Sequence, residues 1–361
     1  MKILFLNMSA LKFSAATPDY EPLGGSESCV AYLAQQLATN GHDVTLVARL
    51  PDGFSGETLG IKHHPHSAIK NPGFFAAEKF DVIVTCNAPI AAPFLREASP
   101  SSRIFLWDHV TPEQPSMREL GNAEILNALD GIIYVSEWQK QQTEKHFGFS
   151  KTGFVIGNGL TPTFENLFSS PQEILKAKQL RAAYTTTPFR GLAILLEAVK
   201  GLDIELDVFS SMRVYQMDDA EYQPLYAAAK SNPRVHYHGS VTQKELAQKL
   251  KSASLLTYPS IFEETFCISA LEAMACGMKV IATDTGALKT TTMGYADLMP
   301  MEKNLVSFTA NYRTLIEQNI AAFRASPEAW AARMYEQSIA VNRSCNWRVR
   351  AQEWEKLFAQ R

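Results

Sequence analysis

Glu264 and Glu272 stand eight positions apart in the stretch from Tyr258 to Gly277, YPSIFEETFCISALEAMACG, and they are the side chains best spaced to do chemistry. Polar Ser260, Glu263, Glu264 and Thr265 come first. Ile268, Leu271, Met274 and Ala275 then take the three-to-four spacing of a buried helical face, which stops at Gly277. The pattern predicts a loop running into a helix that starts near Phe266 to Cys267. Its first turn would offer unpaired backbone N–H groups and a partial positive charge, a ready seat for a phosphate. At ~1.5 Å per helical residue the two carboxylates would lie up to roughly 12 Å apart along the axis, one on each side of that phosphate. Such a span suits a nucleotide diphosphate sugar, with one acid for the sugar hydroxyls and the other for the ribose. An ordinary amphipathic helix with two solvated glutamates also fits the spacing, because Glu is a good helix former.

Other positions could line a site with them. Gly24 and Gly25 precede Ser26, Glu27 and a helical face of Val30, Leu33 and Leu37, so backbone could approach a ligand there; a plain loop is the alternative. Phe105 to His109 reads as a strand with a polar end. Ligands bind at the carboxyl ends of strands in open α/β sheets, which would turn Asp108 and His109 toward a cleft. His109 could hydrogen-bond a sugar hydroxyl or exchange protons with an acceptor. Ser136, in Tyr134 to Trp138, is either a helix cap or a ligand contact. Asn158, between Gly157 and Gly159, tolerates positive φ and reads first as a turn. Arg190, before a helix carrying Leu195, Leu196 and Val199, could grip two phosphate oxygens with its planar guanidinium. Thr242 to Glu245 predicts a capping box.

These residues need elements to hold them. Strand-like runs at Ile3–Asn7, Asp43–Ala48, Phe80–Cys86, Arg103–Trp107, Gly131–Val135 and Gly153–Ile156 alternate with helical patterns. After a polar stretch near Thr161–Lys176 a second series follows: Leu180–Tyr184, Ile204–Phe209, Val235–His238, Leu255–Tyr258 and Lys279–Ala282. The alternation predicts α/β architecture, two doubly wound parallel sheets covered by helices and meeting at a cleft. A chain of 361 residues, 46% hydrophobic, can bury two such cores. Domains are expected at 1–160 and 161–340, followed by a terminal helical segment at 341–361.

Composition excludes several classes. A formal charge of -3 gives no electrostatic case for nucleic acid. Cys29, Cys86, Cys267, Cys276 and Cys345 are scattered, odd in number and without CxxC spacing, so they read as reduced thiols of a cytoplasmic protein. The apolar start, MKILFLNMSALKF, is too short for a membrane span and lacks a cleavage site. A metal is not expected: there is no DxD run, and His63, His64 and His66 lack helical ligand spacing. No Rossmann G-x-G-x-x-G occurs, which argues against a nicotinamide enzyme.

The Tyr258–Gly277 stretch resembles the E-x7-E motif of retaining glycosyltransferases with the GT-B architecture, family 4 (glycosyl transferases group 1), usually close to EGFGLPxLEAMACG. Glu264, Phe266 and Leu271 through Gly277 match; Thr265 and Cys267 stand where that family usually has glycines. The Gly24-Gly25 element resembles GGxE, Val135 to Trp138 the VSxW element, Ile156 to Leu160 the IPNGV turn, and His238 to Leu246 the HGxVxxxEL stretch. Arg190 occupies the lysine position of RLxxxKG, and Thr185 falls where its arginine would be.

The resemblance implies two Rossmann-like domains, the first binding an acceptor and the second a nucleotide sugar. It also implies a last helix that crosses back onto the first domain through Trp347, Trp354 and Phe358. The implied activity is retaining, metal-independent transfer of a hexose from a nucleotide sugar, UDP-glucose in type, to a sugar, lipid-linked or other hydroxyl acceptor in polysaccharide, glycolipid or glycoconjugate synthesis. Glu264, Arg190 and His109 would serve catalysis. Gly25, Arg190, Val241, Glu264, Thr265, Phe266, Cys267, Ile268, Ser269 and Glu272 would bind the donor, and Gly24, Asp108, Ser136 and Asn158 would line the acceptor side. Attachment to the inner face of the cytoplasmic membrane would suit a lipid-linked acceptor, although no basic amphipathic helix stands out. A GT-B epimerase or hydrolase and a non-catalytic sugar-nucleotide-binding protein remain as alternatives.

Overall fold

Buried apolar strands paired in parallel, with helices between them, account for the architecture of the computed structural model, which describes residues 1–54 and 56–360. The chain separates into two compact units, one of Met1–Gly159 with Trp347–Arg361 and one of Leu160–Asn346. The final Arg361, at the end of the expected terminal segment, lies outside the described residues.

The first unit holds β1 (Lys2–Asn7), β2 (Asp43–Ala48), β3 (Gly56–Thr58), β4 (Ile61–Pro65), β5 (Val82–Cys86), β6 (Arg103–Asp108), β7 (Gly131–Tyr134) and β8 (Gly153–Val155). They form one sheet in the order β3-β4-β2-β1-β5-β6-β7-β8. Every pairing is parallel except β3 with β4, an antiparallel hairpin turned at Leu59 and Gly60, both at positive φ. This edge corrects the expectation of a wholly parallel sheet; its strands are too short and polar to carry an apolar run.

The second unit holds β9 (Gln179–Tyr184), β10 (Glu205–Val208), β11 (Val235–Tyr237), β12 (Ala253–Tyr258), β13 (Lys279–Thr283) and β14 (Asp297–Met299), in the order β11-β10-β9-β12-β13-β14. All of its pairings are parallel. Strand order reverses at β1/β5 in the first sheet and at β9/β12 in the second, and the carboxyl ends of such neighbours diverge to leave a crevice.

Three helices end the chain, Leu305–Ala325, Pro327–Ser344 and Trp347–Ala359. The last packs on the first unit. Trp354 meets Phe5 and Trp107 at ring-centroid distances of 6.5 and 4.8 Å, Phe358 meets Phe105 at 6.1 Å, and Trp347 meets Tyr32 at 6.4 Å. Burying a large apolar side chain contributes roughly 1.5–3 kcal/mol each, enough to fix a helix of this length. Among the described residues no helix is long and apolar enough to cross a membrane.

Candidate functional site

The second unit gathers Arg190, Tyr258 and Glu264 at its topological switch point. Tyr258 ends β12; Arg190 closes the turn after β9. That turn is tight because Gly191, at φ +103°, lies against the Pro259 carbonyl; a Cβ there would stand 2.9 Å from the Pro259 carbonyl carbon. Glu264 follows six residues after Tyr258. It is 5% exposed and accepts hydrogen bonds from the Arg190 guanidinium and the Tyr258 hydroxyl, both on Oε1. Burial opposes the charge on Arg190, yet Glu264, Tyr258 and Tyr215 hold its pKa well above the usual value. Burial and the Glu264 charge likewise keep Tyr258 protonated. The guanidinium lies over the Phe262 ring at 4.5 Å and near Phe189 at 5.6 Å, and its buried Nε has no hydrogen-bond partner. One donor of Arg190 is therefore committed to Glu264, while the Nε donor is enclosed without a partner.

The Glu264 backbone is equally fixed. Ala287 N–H donates to the Glu264 carbonyl at 2.7 Å, and Gly286, at φ +59°, packs so closely that a Cβ would lie 2.6 Å from the Glu264 nitrogen. The helix that follows spans Ile268–Ala275, one residue later than the pattern predicts, with Cys267 as its N-cap in the left-handed region at φ +77°. Cys267 thus adopts a backbone that suits glycine. Its thiol is held protonated by burial and the Glu264 charge. Phe266 is buried and its carbonyl accepts from the Thr291 hydroxyl, while Thr265, Ile268 and Ser269 are half-buried. Ser269 Oγ donates to Thr185 O at 3.2 Å. Glu272 is buried in the same helix and accepts from Thr161 Oγ1 at 2.6 Å; burial pushes its pKa up to about 7, partly offset by that hydrogen bond. Neither glutamate is a solvated surface residue.

Val241 is half-buried, just ahead of the Thr242–Glu245 capping box, which forms as the sequence predicts. Nearby, His238 stacks on Phe209 at 4.6 Å and bonds Asp207 Oδ1 at 2.8 Å through Nε2.

In the first unit His109 follows β6, its ring 4.3 Å from Trp107, which in turn rests on Trp354. Burial drives the His109 pKa down to about 3 against a hydrogen bond with Asn158, so the imidazole is neutral near pH 7. It could accept or donate a hydrogen bond but would not serve as a charged acid. Asp108 departs from its expected outward placement. It is wholly buried, its Oδ1 accepts from Val110 N–H at 3.0 Å, and burial raises its pKa to about 7. Strand alternation explains this, because Asp108 takes the sheet face opposite to Trp107 and His109. Ser136 caps the helix Glu137–Phe147 by accepting from Gln139 N–H at 3.1 Å. Asn158 also receives Arg350 Nε on its carbonyl oxygen at 3.2 Å.

Gly24 caps and Gly25 begins the helix Gly25–Thr39, and Gly24 has an ordinary φ of -55°. Absent side chains rather than unusual backbone are what the pair offers. The segment between Met8 and Leu23 is tied to the sheet edge: Lys12 bridges to Arg49, Phe13 N–H donates to Arg49 O, and Ala15 N–H donates to His63 Nε2 at 3.0 Å. A pocket of about 520 Å³ at that edge is lined by Arg49, Phe54, His63 and His66 among others; the tether engages Arg49 and His63, while His66 donates to the Asn7 carbonyl of β1.

Sequence reasoning missed Tyr258 and Thr161. Tyr258 is the last residue of a buried apolar strand, and Thr161 lies 111 positions from its partner, so neither carries a local signal. Among the described residues no group of three or more His, Cys, Asp or Glu could hold a metal ion.

Residues 23–164 match the model of Glycosyltransferase Family 4, and residues 182–332 match Glycosyl transferases group 1. The MMP α-(1→4)-mannosyltransferase of Mycolicibacterium hassiacum is 30% identical over 122 residues, 34% of this chain and 29% of that protein. A D-inositol 3-phosphate glycosyltransferase of Arthrobacter is 30% identical over 125 residues, 35% of this chain and 27% of that protein. The chain thus spans less than a third of the length of these curated relatives. A phosphatidyl-myo-inositol mannosyltransferase of Propionibacterium freudenreichii is 22% identical over 90% of this chain and 88% of its own length.

In overall fold the chain is similar to sucrose-phosphate synthase from Thermosynechococcus elongatus, with a TM-score of 0.75 at 18% identity, covering 99% of this chain and 98% of that one. It is also similar to Anabaena HepE in complex with UDP-glucose, with a TM-score of 0.71 at 16% identity and full coverage of both chains. With one family match in each unit and the GT-B fold throughout, the chain belongs to the family 4, group 1 glycosyltransferases.

Proposed function

We propose that the protein is a retaining hexosyltransferase that moves a sugar from a UDP-sugar, of UDP-glucose type, to a hydroxyl acceptor without a metal ion. The observation that carries this reading is the Arg190–Glu264–Tyr258 cluster at the β9/β12 switch point, just before the N-terminus of the helix Ile268–Ala275. Glu264 would accept hydrogen bonds from donor-sugar hydroxyls, Glu272 from the ribose, and the half-buried Val241 backbone would meet the base. The Arg190 guanidinium and the amides from Thr265 to Ser269 would hold the diphosphate.

In the reaction the bond from the sugar C1 to the β-phosphate oxygen breaks, and UDP leaves with the electron pair. The acceptor oxygen bonds C1 on the same face, and its proton passes to the departing phosphate. Negative charge grows on that phosphate, so donors already aimed at it lower the barrier most. His109, neutral and held on Trp107, would orient a hydroxyl of the donor sugar or acceptor. Relatives named for mannosyl transfer and for glycosyl transfer to inositol 3-phosphate, and HepE solved with UDP-glucose, support sugar transfer as the class of chemistry.

A thermal-shift screen against UDP-, GDP- and ADP-sugars tests the donor, since a ligand bound only by the native state raises its apparent stability. A UDP-sugar is expected to give the largest shift. The Glu264→Gln variant should lower kcat/KM about 100-fold, as expected for losing a charged hydrogen-bond acceptor; unchanged transfer would remove Glu264 from its role.

A further inference from the structure

Glu272 is a buried carboxylate with one hydrogen-bond partner among the described residues. Its Oε1 accepts from Thr161 Oγ1 at 2.6 Å. It makes no ion pair there, and Oε2 makes no hydrogen bond, so one oxygen is anchored and the other is available to a ligand.

The anchor comes from an unusual use of a threonine. Thr161 sits at the N-cap of the short turn Pro162–Phe164, where a hydroxyl would ordinarily accept from the backbone of that turn. Its side chain makes no such bond; the Thr161 carbonyl accepts from Phe164 N–H at 2.9 Å instead. Leu160, immediately before it, is held by a bridge to Asn346 and an N–H bond to Cys345 O at 2.6 Å. Thr161 is thereby fixed on both sides, 3% exposed, with its hydroxyl free to turn toward Glu272.

We propose that Thr161 is the positioning residue of Glu272, turning its carboxylate so that Oε2 receives the ribose hydroxyls of the nucleotide. The role given to the ribose rests on the reading above. Burial pushes Glu272 toward its neutral form, and the Thr161 hydroxyl is the group that opposes it. Among the described residues no charged group shifts Glu272. The helix Pro327–Ser344 contributes Gln337, which donates to the Met274 and Met278 carbonyls. The titratable groups that sense Glu272 are the Cys267 and Cys276 thiols, both kept protonated by burial, while Lys178 faces Cys276 and backbone carbonyls. A neutral carboxyl could donate a proton into a space where only acceptance is useful, so the hydroxyl fixes the orientation and favours the charged form against burial.

The test pairs Thr161→Val with Thr161→Ser in the full-length chain. The first readout is the titration of Glu272 in 13C-labelled protein, assigned by its loss in Glu272→Gln; the second is the dissociation constant for UDP-glucose at pH 7. Thr161→Val should move the titration midpoint up by about one pH unit and weaken UDP-glucose about tenfold, on the scale of one hydrogen bond to a charged group. Thr161→Ser should restore both. A midpoint unmoved in Thr161→Val overturns the proposal even if the protein loses stability. A midpoint that moves while UDP-glucose affinity stays constant leaves Thr161 as the partner of Glu272 but overturns the ribose contact, and with it that part of the proposed function.

Discussion

Arg190 and Glu264 illustrate what one residue can and cannot reveal from its place in the chain. Each is legible as a candidate ligand contact from its type and setting, yet their union across 74 positions is not, because it depends on how closely β9 and β12 approach. The union changes the chemistry expected of both. Glu264 takes a guanidinium as its partner, and part of the Arg190 charge is already balanced by that carboxylate. Tyr258 completes the pair as the second donor on Glu264 Oε1. Tyr258→Phe removes that hydroxyl and leaves a ring of the same shape, so the fold should be retained while kcat/KM falls about tenfold, the worth of one buried hydrogen bond. Steady-state kinetics checks this; a variant with wild-type kcat/KM would show that Arg190 alone orients the carboxylate.

At the scale of elements, the site is made by turns. The sequence pattern locates the helix Ile268–Ala275 to within two residues because its apolar spacing is regular, and it locates the buried strands because they are long apolar runs. It is blind to the loops. Two glycines of the usual motif are replaced here by Thr265 and Cys267, while close backbone approach is supplied from elsewhere, by Gly191 against Pro259 and by Gly286 against Glu264. Only the folded chain shows this exchange, since Gly286 stands in an unremarkable TDTGAL segment. In Gly286→Ala the added Cβ meets backbone rather than a yielding side chain, at a φ of +59° that alanine adopts reluctantly. Stability should fall by about 2 kcal/mol, the middle of the range for overpacking, and nucleotide-sugar affinity should fall with it as Glu264 is displaced. Urea unfolding and calorimetric binding measure the two effects. A stable Gly286→Ala protein with full affinity would show that this loop does not position Glu264.

For the whole molecule, alternation of strand and helix gave the two-sheet architecture, whereas the β3–β4 hairpin and β14 escaped because three-residue and polar strands lack a period to detect. Buried titratable groups escaped for the same reason: nothing local marks Lys178 or Glu272 as enclosed. Together they predict how the second unit responds to pH. Burial raises Glu272 to about 7 from an ordinary 4.5. Its contribution to stability is complete below the unfolded pKa and is lost as pH rises toward 7. Burial lowers Lys178 to about 7 from an ordinary 10.5, while its ammonium donates to the Leu250 and Ala253 carbonyls. Its contribution runs the other way, present at high pH and lost as pH falls toward 7. Each changes stability by about 1.4 kcal/mol per pH unit inside its window, so the stability of this unit should pass through a minimum near pH 7 and rise toward both pH 5 and pH 8. Hydrogen exchange of the β9 and β12 amides, corrected for its intrinsic pH dependence, reads this directly. Glu272→Gln should flatten the acid limb and leave the alkaline limb in place. Protection that rises steadily from pH 5 to pH 8 in the wild-type chain would mean that Glu272 is ionised throughout, with the Thr161 hydroxyl outweighing its burial.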